Sequence, residues 1–301
     1  MKLRDLSYFV VLSQTLHFGK AAVQSHVSQP TLSVQIKKLE ERLGLTLIER
    51  DNKNVRLTPE GKIIAEKAQR VLHEIDAIKT YAKAVQDPKA GDLHLGIIPT
   101  LGPYLLPQAI PLLHKKLPKL SMWLHEAQTE VLIAQLQTGE LDLAILALPI
   151  EAENLHTVPL FTESFYFAVH SNHPLAKKKE LSPKEIAGEK ILLLTDGHCL
   201  RDQALEFCQH HHSAPLGDFK ATSLETLRQM VAQGLGATLM PALATRDAHA
   251  NICYIPFKKN PPSRQLGLAF RKTHVRAPLM LEMAQMIQQH FSLHNSCNKG
   301  R

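Results

Sequence analysis

Residues 17–50 read HFGKAAVQSHVSQPTLSVQIKKLEERLGLTLIER, and the rest of the chain is placed by reference to them. Phe18 to Ser25 predicts a short helix in which Ala21 and Ala22 are small enough for close helix contact. The turn His26-Val27-Ser28 follows. Ser28 is a good N-cap, Pro30 is tolerated in the first helical turn, and Leu32, Ile36, Leu39 and Leu43 mark the buried face of a longer helix. Upstream, Leu6, Phe9, Val10 and Leu12 predict an amphipathic helix from about Asp5 to Leu16. Two helices joined by so short a turn form a helix-turn-helix, whose second helix enters the DNA major groove and sets its first residues against base edges. Here those residues run from Ser28 through Gln29, Pro30, Thr31, Ser33, Val34 and Gln35 to Lys37, a small, polar and basic set. A three-helix packing unit with a solvated basic face would carry the same pattern.

After Gly44, the run Leu45 to Arg50, the polar turn Asp51 to Asn54 and the run Val55 to Leu57 predict a β-hairpin wing. Arg50, Lys53 and Arg56 on it are placed to meet phosphates, which position a protein on DNA without specifying sequence. Residues 1–58 hold nine Lys/Arg against five Asp/Glu, a net +4 within the whole-chain +7, which fits an anionic partner for that end.

Thr58-Pro59-Glu60-Gly61 is a helix start, with Thr as N-cap, Pro at the first position and an acid in the first turn. Beyond it Ile64, Ala68, Val71, Ile75, Ile78, Ala82 and Val85 repeat at alternating four- and three-residue spacing. That seam predicts pairing with a second copy of the helix, although a seam packed on the protein's own core reads the same way. The segment Gln86 to Asp92, containing Pro88 and Gly91, breaks the pattern and marks a domain boundary. The predicted organisation is a DNA-binding domain over 1–58, a dimerisation linker helix and hinge over 59–91, and an effector domain over 92–301.

At 301 residues, 44% hydrophobic and 21% charged, the chain is of ordinary globular composition and long enough for two cores. No apolar run reaches the roughly 18 residues of a membrane span, and the start MKLRDLSYFV lacks a signal-peptide h-region. The expectation is a cytoplasmic protein without membrane contact, in a compartment that keeps thiols reduced.

In the second half, strands alternate with helices. Strands are predicted over Leu93–Ile98, Ser121–His125 and Leu141–Leu146, with helices over Tyr104–His114 and Thr129–Gln137 between them. Such alternation predicts a parallel α/β sheet with ligands at the carboxyl ends of its strands, where Thr100 and Thr129 fall. Each threonine could equally be only a helix N-cap. From Phe161 to Val169 the chain crosses into a second α/β unit, which includes a helix over Ser223–Gln233 and a strand over Gly236–Met240. Arg264–Phe270 and a helix over Pro278–Phe291 return to the first. Lobe I then covers about 92–161 and 268–301, and lobe II about 162–267.

Within the second unit, residues 191–212 read ILLLTDGHCLRDQALEFCQHHH. An apolar strand ends at Leu194, Asp196-Gly197 turns, and a helical pattern starts at about Cys199. A helix start, with His198 and Arg201 beside it, favours thiolate over thiol at Cys199. Cys208 lies nine residues on, so a continuous helix holds the two sulfurs about 13 Å apart and about half a turn round. A disulfide, which needs Cα atoms within about 7 Å, forms only if that helix comes apart. Two cysteines at such positions also suit small core side chains. The run His210-His211-His212 lacks a second ligand cluster at zinc spacing, so no metal is predicted, and Cys253 and Cys297 read as structural or exposed thiols.

Residues 17–50 match the pattern A-A…S-Q-P-[ST]-[LV]-S-x-Q-I-x-x-L-E…L-G-x-x-L-[FI]-x-R. On that match the segment resembles the winged helix-turn-helix of LysR-type transcriptional regulators. The resemblance implies an α/β fold with an N-terminal winged helix-turn-helix, a linker helix and a two-lobed effector domain like a periplasmic binding protein. IPTLGPYLLPQ, LHEAQT, LDLAILAL, DGHCLRDQA…FC and ATSLETLRQMVAQGLG further resemble the hydrogen-peroxide-sensing branch of that family. That branch implies Cys199 as the peroxidatic and Cys208 as the resolving cysteine, with Thr100, Thr129, His198 and Arg264 lining a peroxide pocket. It also implies a non-enzymatic activator without cofactor, acting on promoter DNA and RNA polymerase in response to oxidative stress. The expected assembly is a homodimer through the linker helix and a dimer of dimers, hence a homotetramer. A regulator that binds a small metabolite between its lobes would share the DNA-binding half.

Overall fold

The computed structural model describes residues 1–51, 54–210, 214–246, 249–258 and 261–297, with backbone alone at some positions within these ranges. The chain divides into two units, Met1–Lys83 and Ala84–Arg301.

The first unit begins with α1 (Leu3–Thr15), α2 (Phe18–Gln24) and α3 (Gln29–Leu43). Ser28 caps α3, its hydroxyl accepting from the Thr31 amide at 3.3 Å, and Gly44 ends the helix at φ +66°. Phe9, Leu12, Leu32, Ile36 and Leu39 are fully buried, so the apolar faces read from the sequence meet in one core. An unforeseen ion pair ties α1 to α3: Asp5, 3% exposed, receives Arg42 Nη1 at 2.8 Å. The wing is β1 (Ile48–Asp51) and β2 (Asn54–Leu57), paired antiparallel. Glu40 fastens it to α3 by accepting the Leu47 and Ile48 amides at 2.8 and 3.2 Å. Helix α4 (Pro59–Gln86) starts where Thr58 Oγ1 accepts the Gly61 amide at 2.8 Å. A Cβ on Gly61 would lie 2.1 Å from the Leu47 carbonyl oxygen, so only glycine fits there. Along α4, Ala68 joins the core of this unit, whereas Val71 and Ile78 are 43% and 68% exposed.

The second unit continues with β3 (Gly91–Ile97), α5 (Gly102–Lys116), β4 (Leu120–Glu126), α6 (Thr129–Thr138), β5 (Leu143–Leu148) and β6 (Leu155–His170). Then come β7 (Lys190–Leu194), α7 (Cys199–His210), β8 (Ala214–Ala221), α8 (Leu224–Ala232) and β9 (Thr238–Pro241). The chain closes with β10 (Ile252–Ile255), β11 (Ser263–Arg271) and α9 (Ala277–Cys297). Short 3-10 turns at Pro174–Lys177, Pro183–Ile186 and Ala242–Thr245 join some of them.

The large sheet runs β10-β6-β11-β5-β3-β4, with β9 also on β6. It is mixed: the three strands read over 93–146 pair in parallel, as their alternation with helices implies, and the strands that follow do not. Strand β3 pairs parallel with β4 and β5, but β11 returns antiparallel between β5 and β6. Two cores form on this frame. Leu93, Leu95, Leu143, Leu266, Met280 and Ile287 belong to one, and Phe165, Phe167, Leu192, Leu200, Val231 and Met240 to the other. Strand β6 serves both: its first half pairs β11, and its second half pairs β9 and β10. Strands β7 and β8 form a separate two-stranded parallel sheet, on which α7 and α8 pack. Among the described residues no helix is long and apolar enough to cross a membrane.

Candidate functional site

Helix α7 begins at Cys199, after the turn Asp196-Gly197. Gly197 has φ +89°, and a Cβ on it would lie 2.5 Å from Gln128 Oε1. Gln128, which ends the β4–α6 connection, also donates from Nε2 to the Asp196 carbonyl at 3.2 Å. The turn leading into α7 is thus held from the first lobe by Gln128, which lies within the LHEAQT segment but was assigned no role from the sequence. Leu200 and Ala204 pack into the second core, at 2% and 4% exposure, while Cys199 packs against the first. Its sulfur therefore sits where the two cores meet.

Of the residues expected at the pocket, Thr100, Thr129 and Arg264 come together beside the Cys199 thiol. Arg264 on β11 is buried, donating from Nη1 to Thr100 Oγ1 at 2.9 Å and from Nη2 to the Thr100 carbonyl at 3.1 Å. Its positive charge acts on the Cys199 sulfur. Thr129, in the first turn of α6, places a buried hydroxyl beside the same sulfur; it makes no regular hydrogen bond to another protein atom. That proton is therefore uncommitted, and a buried donor without a partner favours any negative charge that forms next to it.

The electrostatics differ from the sequence expectation. Burial dominates and pushes the Cys199 thiol above its ordinary pKa; Arg264, the Thr129 hydroxyl and the Leu200 amide at the helix start oppose it without overcoming it. The neighbouring cations do not contribute as expected. Arg201 is drawn to Asp196 at 2.7 Å and Asp202 at 3.7 Å. His198 is 7% exposed, and burial pushes its pKa below the ordinary imidazole value, against a hydrogen bond with the backbone of Thr222. At neutral pH it is an uncharged ring. The cation that matters arrives from β11, 65 positions along the chain from Cys199.

The sequence reading missed Glu163, 3% exposed on β6, whose Oε2 receives Arg264 Nε at 2.8 Å. Helix α7 is continuous from Cys199 to His210, so its backbone carries Cys208 about 13 Å along the axis from Cys199. The side chains of Cys208 and His210, all of His211 and His212, and the side chain of Cys297 lie outside the described residues. Cys253 is a half-buried free thiol on β10. Among the described residues no group of three or more His, Cys, Asp or Glu is arranged to hold a metal ion.

In the DNA-binding half, Ser28, Gln29, Pro30 and Thr31 are exposed at the start of α3 and Lys37 is exposed near its middle, with Ser33 and Gln35 half-buried between them. Ser28 is engaged by its cap, its Oγ also lying 2.8 Å from Thr31 Oγ1. Arg56 is exposed on the wing; Lys53 and the side chain of Arg50 lie outside the described residues.

Comparison with known proteins agrees with this layout. Residues 3–62 match the family described as bacterial regulatory helix-turn-helix protein, lysR family. Residues 86–292 match the LysR substrate binding domain. The chain is 46% identical over 296 residues, 98% of this chain and 97% of the relative, to the hydrogen peroxide-inducible genes activator of Dickeya chrysanthemi. It is 48% identical over 273 residues, 90% of each, to the DNA-binding transcriptional dual regulator OxyR of Escherichia coli (strain K12). Among solved structures, full-length OxyR C199D from Pseudomonas aeruginosa is similar at a TM-score of 0.74 and 40% identity, over 96% of this chain and 95% of that one. A helix-turn-helix half and an effector half, each matched over nearly its whole length, place this chain in the LysR family of bacterial regulators.

Proposed function

We propose that this chain is a cytoplasmic, DNA-binding transcriptional activator that is switched by hydrogen peroxide through Cys199 and Cys208. The observation that carries the reading is the placement of the Cys199 sulfur between two cores, beside one buried cation and one uncommitted hydroxyl. Peroxide chemistry needs no cofactor. The Cys199 thiolate attacks one peroxide oxygen, the O–O bond breaks, and the departing hydroxide takes a proton to leave as water. Arg264 and the Thr129 hydroxyl are the groups placed to stabilise that departing charge, with Thr100 holding Arg264 in position. The resulting sulfenic acid at Cys199 condenses with the Cys208 thiol, forming the disulfide and releasing a second water. Since the helix holds the two residues apart, α7 must unwind for that bond to form, and the repacked second lobe changes how the assembly sits on DNA.

A metabolite-binding regulator is the other use of such a two-lobed domain. Carboxylate ligands are usually gripped by an open arginine fork. Here Glu163 and Thr100 already fill that of Arg264, which favours the peroxide reading.

The test is intact-mass analysis of the reduced full-length protein before and after about one equivalent of peroxide. The expected product is about 2 Da lighter, and Cys208→Ser should instead gain about 16 Da as sulfenic acid. An unchanged mass would overturn the assignment.

The exposed start of α3 supplies base contacts through Gln29, Thr31, Ser33 and Gln35, and Arg50, Lys53 and Arg56 meet phosphates. The exposed Val71 and Ile78 on α4 support a homodimer through that helix, two such dimers pairing into a tetramer at promoter DNA, where an activator meets RNA polymerase. Substituting Gln29, Thr31 or Ser33 by Ala should cost about 1–3 kcal/mol of operator affinity for each lost base contact. Arg56→Ala should weaken binding to every sequence and lower the salt slope by about one. Titrations at several salt concentrations separate the two classes, and a Gln29→Ala protein with full affinity would remove that residue from the reading surface.

A further inference from the structure

Glu163 and Arg264 form an ion pair with side-chain exposures of 1% and 0%. Glu163 Oε2 faces both Nε and Nη2 of Arg264 at 2.8 Å, and its Oε1 accepts the Leu243 amide at 2.7 Å. The ring of Phe165 stands 5.9 Å from the guanidinium carbon. Both carboxylate oxygens are thus engaged and the side chain is fixed, with Arg264 as its link to Cys199. The peroxide step described above does not use it.

The charged and titratable groups around Cys199 come from several elements. Arg264 on β11 favours its thiolate and Asp202 on α7 opposes it, while the Thr129 hydroxyl on α6 and the Leu200 amide add support. His198 is neutralised by burial, and Arg201 is occupied by Asp196 and Asp202. Arg264 is therefore the cation shared between two anions, one permanent and one that exists only when the thiol ionises. A buried cation needs a counter-ion. Whatever Glu163 supplies, the thiolate need not.

We propose that Glu163 is a positioning residue that governs Cys199 through Arg264, acting as the standing counter-ion that keeps the guanidinium from drawing a proton off the resting thiol. The inference rests on the reading of Cys199 as the reacting thiol, and it adds a brake to that site. With Glu163 neutralised, the Cys199 thiolate becomes the remaining anion for Arg264, so the thiol should ionise at lower pH.

The experiment measures alkylation of Cys199 by iodoacetamide against pH in reduced full-length protein, resolved by peptide mass spectrometry. Glu163→Gln should move the midpoint to lower pH, with the alkylation rate below the midpoint rising about tenfold for each unit moved. A midpoint unchanged or raised in folded Glu163→Gln overturns the proposal, since a purely structural glutamate would loosen the site without acidifying the thiol. Glutamine leaves one donor facing an amide, so a second variant guards against misfolding: Glu163→Gln with Arg264→Met removes both charges. Its midpoint should lie above wild type, because the favouring cation is gone, and a midpoint at or below wild type overturns the proposal as well. Alkylation requires no peroxide. If wild-type Cys199 alkylates normally but resists peroxide, the peroxide reading fails; if it reacts with peroxide but the midpoints stay put, the brake fails.

Discussion

Cys199→Ser should eliminate the peroxide response altogether, lowering the rate of oxidation by orders of magnitude while operator binding by the reduced protein is preserved. A serine hydroxyl presents no appreciable anion at neutral pH, and the thiolate is the reacting form. Binding survives because the helix-turn-helix has its own core, built on Phe9, Leu12, Leu32 and Ile36. Mass analysis after peroxide and an operator titration on the same sample check both halves. A Cys199→Ser protein that still switched would end the redox assignment. In the wild type, burial raises the Cys199 pKa, so thiolate is the minority form near neutrality. Its oxidation rate should therefore climb as pH rises and level off only above that raised pKa.

Amide exchange across residues 199–210 should change from protected in the reduced protein to rapid in the oxidised one. Helix α7 is intact when reduced, and Leu200 and Ala204 are 2% and 4% exposed beneath it. Burying a leucine side chain is worth about 1.5–3 kcal/mol, so releasing these turns costs several kcal/mol. About 3 kcal/mol of such strain corresponds to roughly 60 mV in a two-electron couple, which makes the disulfide more oxidising than an unstrained structural bridge. A cytosolic thiol pool should then reset it without dedicated repair. If exchange is equally slow in both states, the helix survives oxidation, and the unwinding step is wrong even though the thiols react.

Local features were legible because they are written in neighbouring residues. The Ser28 cap, the apolar face Leu32-Ile36-Leu39 and the strand Ile191–Leu194 each follow from spacing and end in the expected element. The antiparallel course of β11 was not legible, since strand–helix alternation is silent about a strand that returns more than a hundred residues after its neighbour β5. The electrostatics of Cys199 failed for a related reason. His198 and Arg201 are adjacent in sequence, but one is neutralised by burial and the other is occupied by aspartates. Glu163 and Arg264, 101 positions apart, carry no shared motif, and Gln128 reaches Asp196 across 68 positions. Such pairs exist only once the chain has folded.

Strand β6 contributes Leu155 and Leu160 to one core and Phe165, Phe167 and Val169 to the other. A strand with its two halves in different cores cannot fray from the middle, so the seven-stranded frame should open only as one cooperative block. Helix α7 contributes no strand to that block; it packs on the β7–β8 pair, which meets the block at the bridge between Ile191 and Ala237. It therefore occupies a low rung of the molecule's own ladder of local openings. Under the proposed switch this helix winds and unwinds repeatedly while the block above it should never sample the unfolded state.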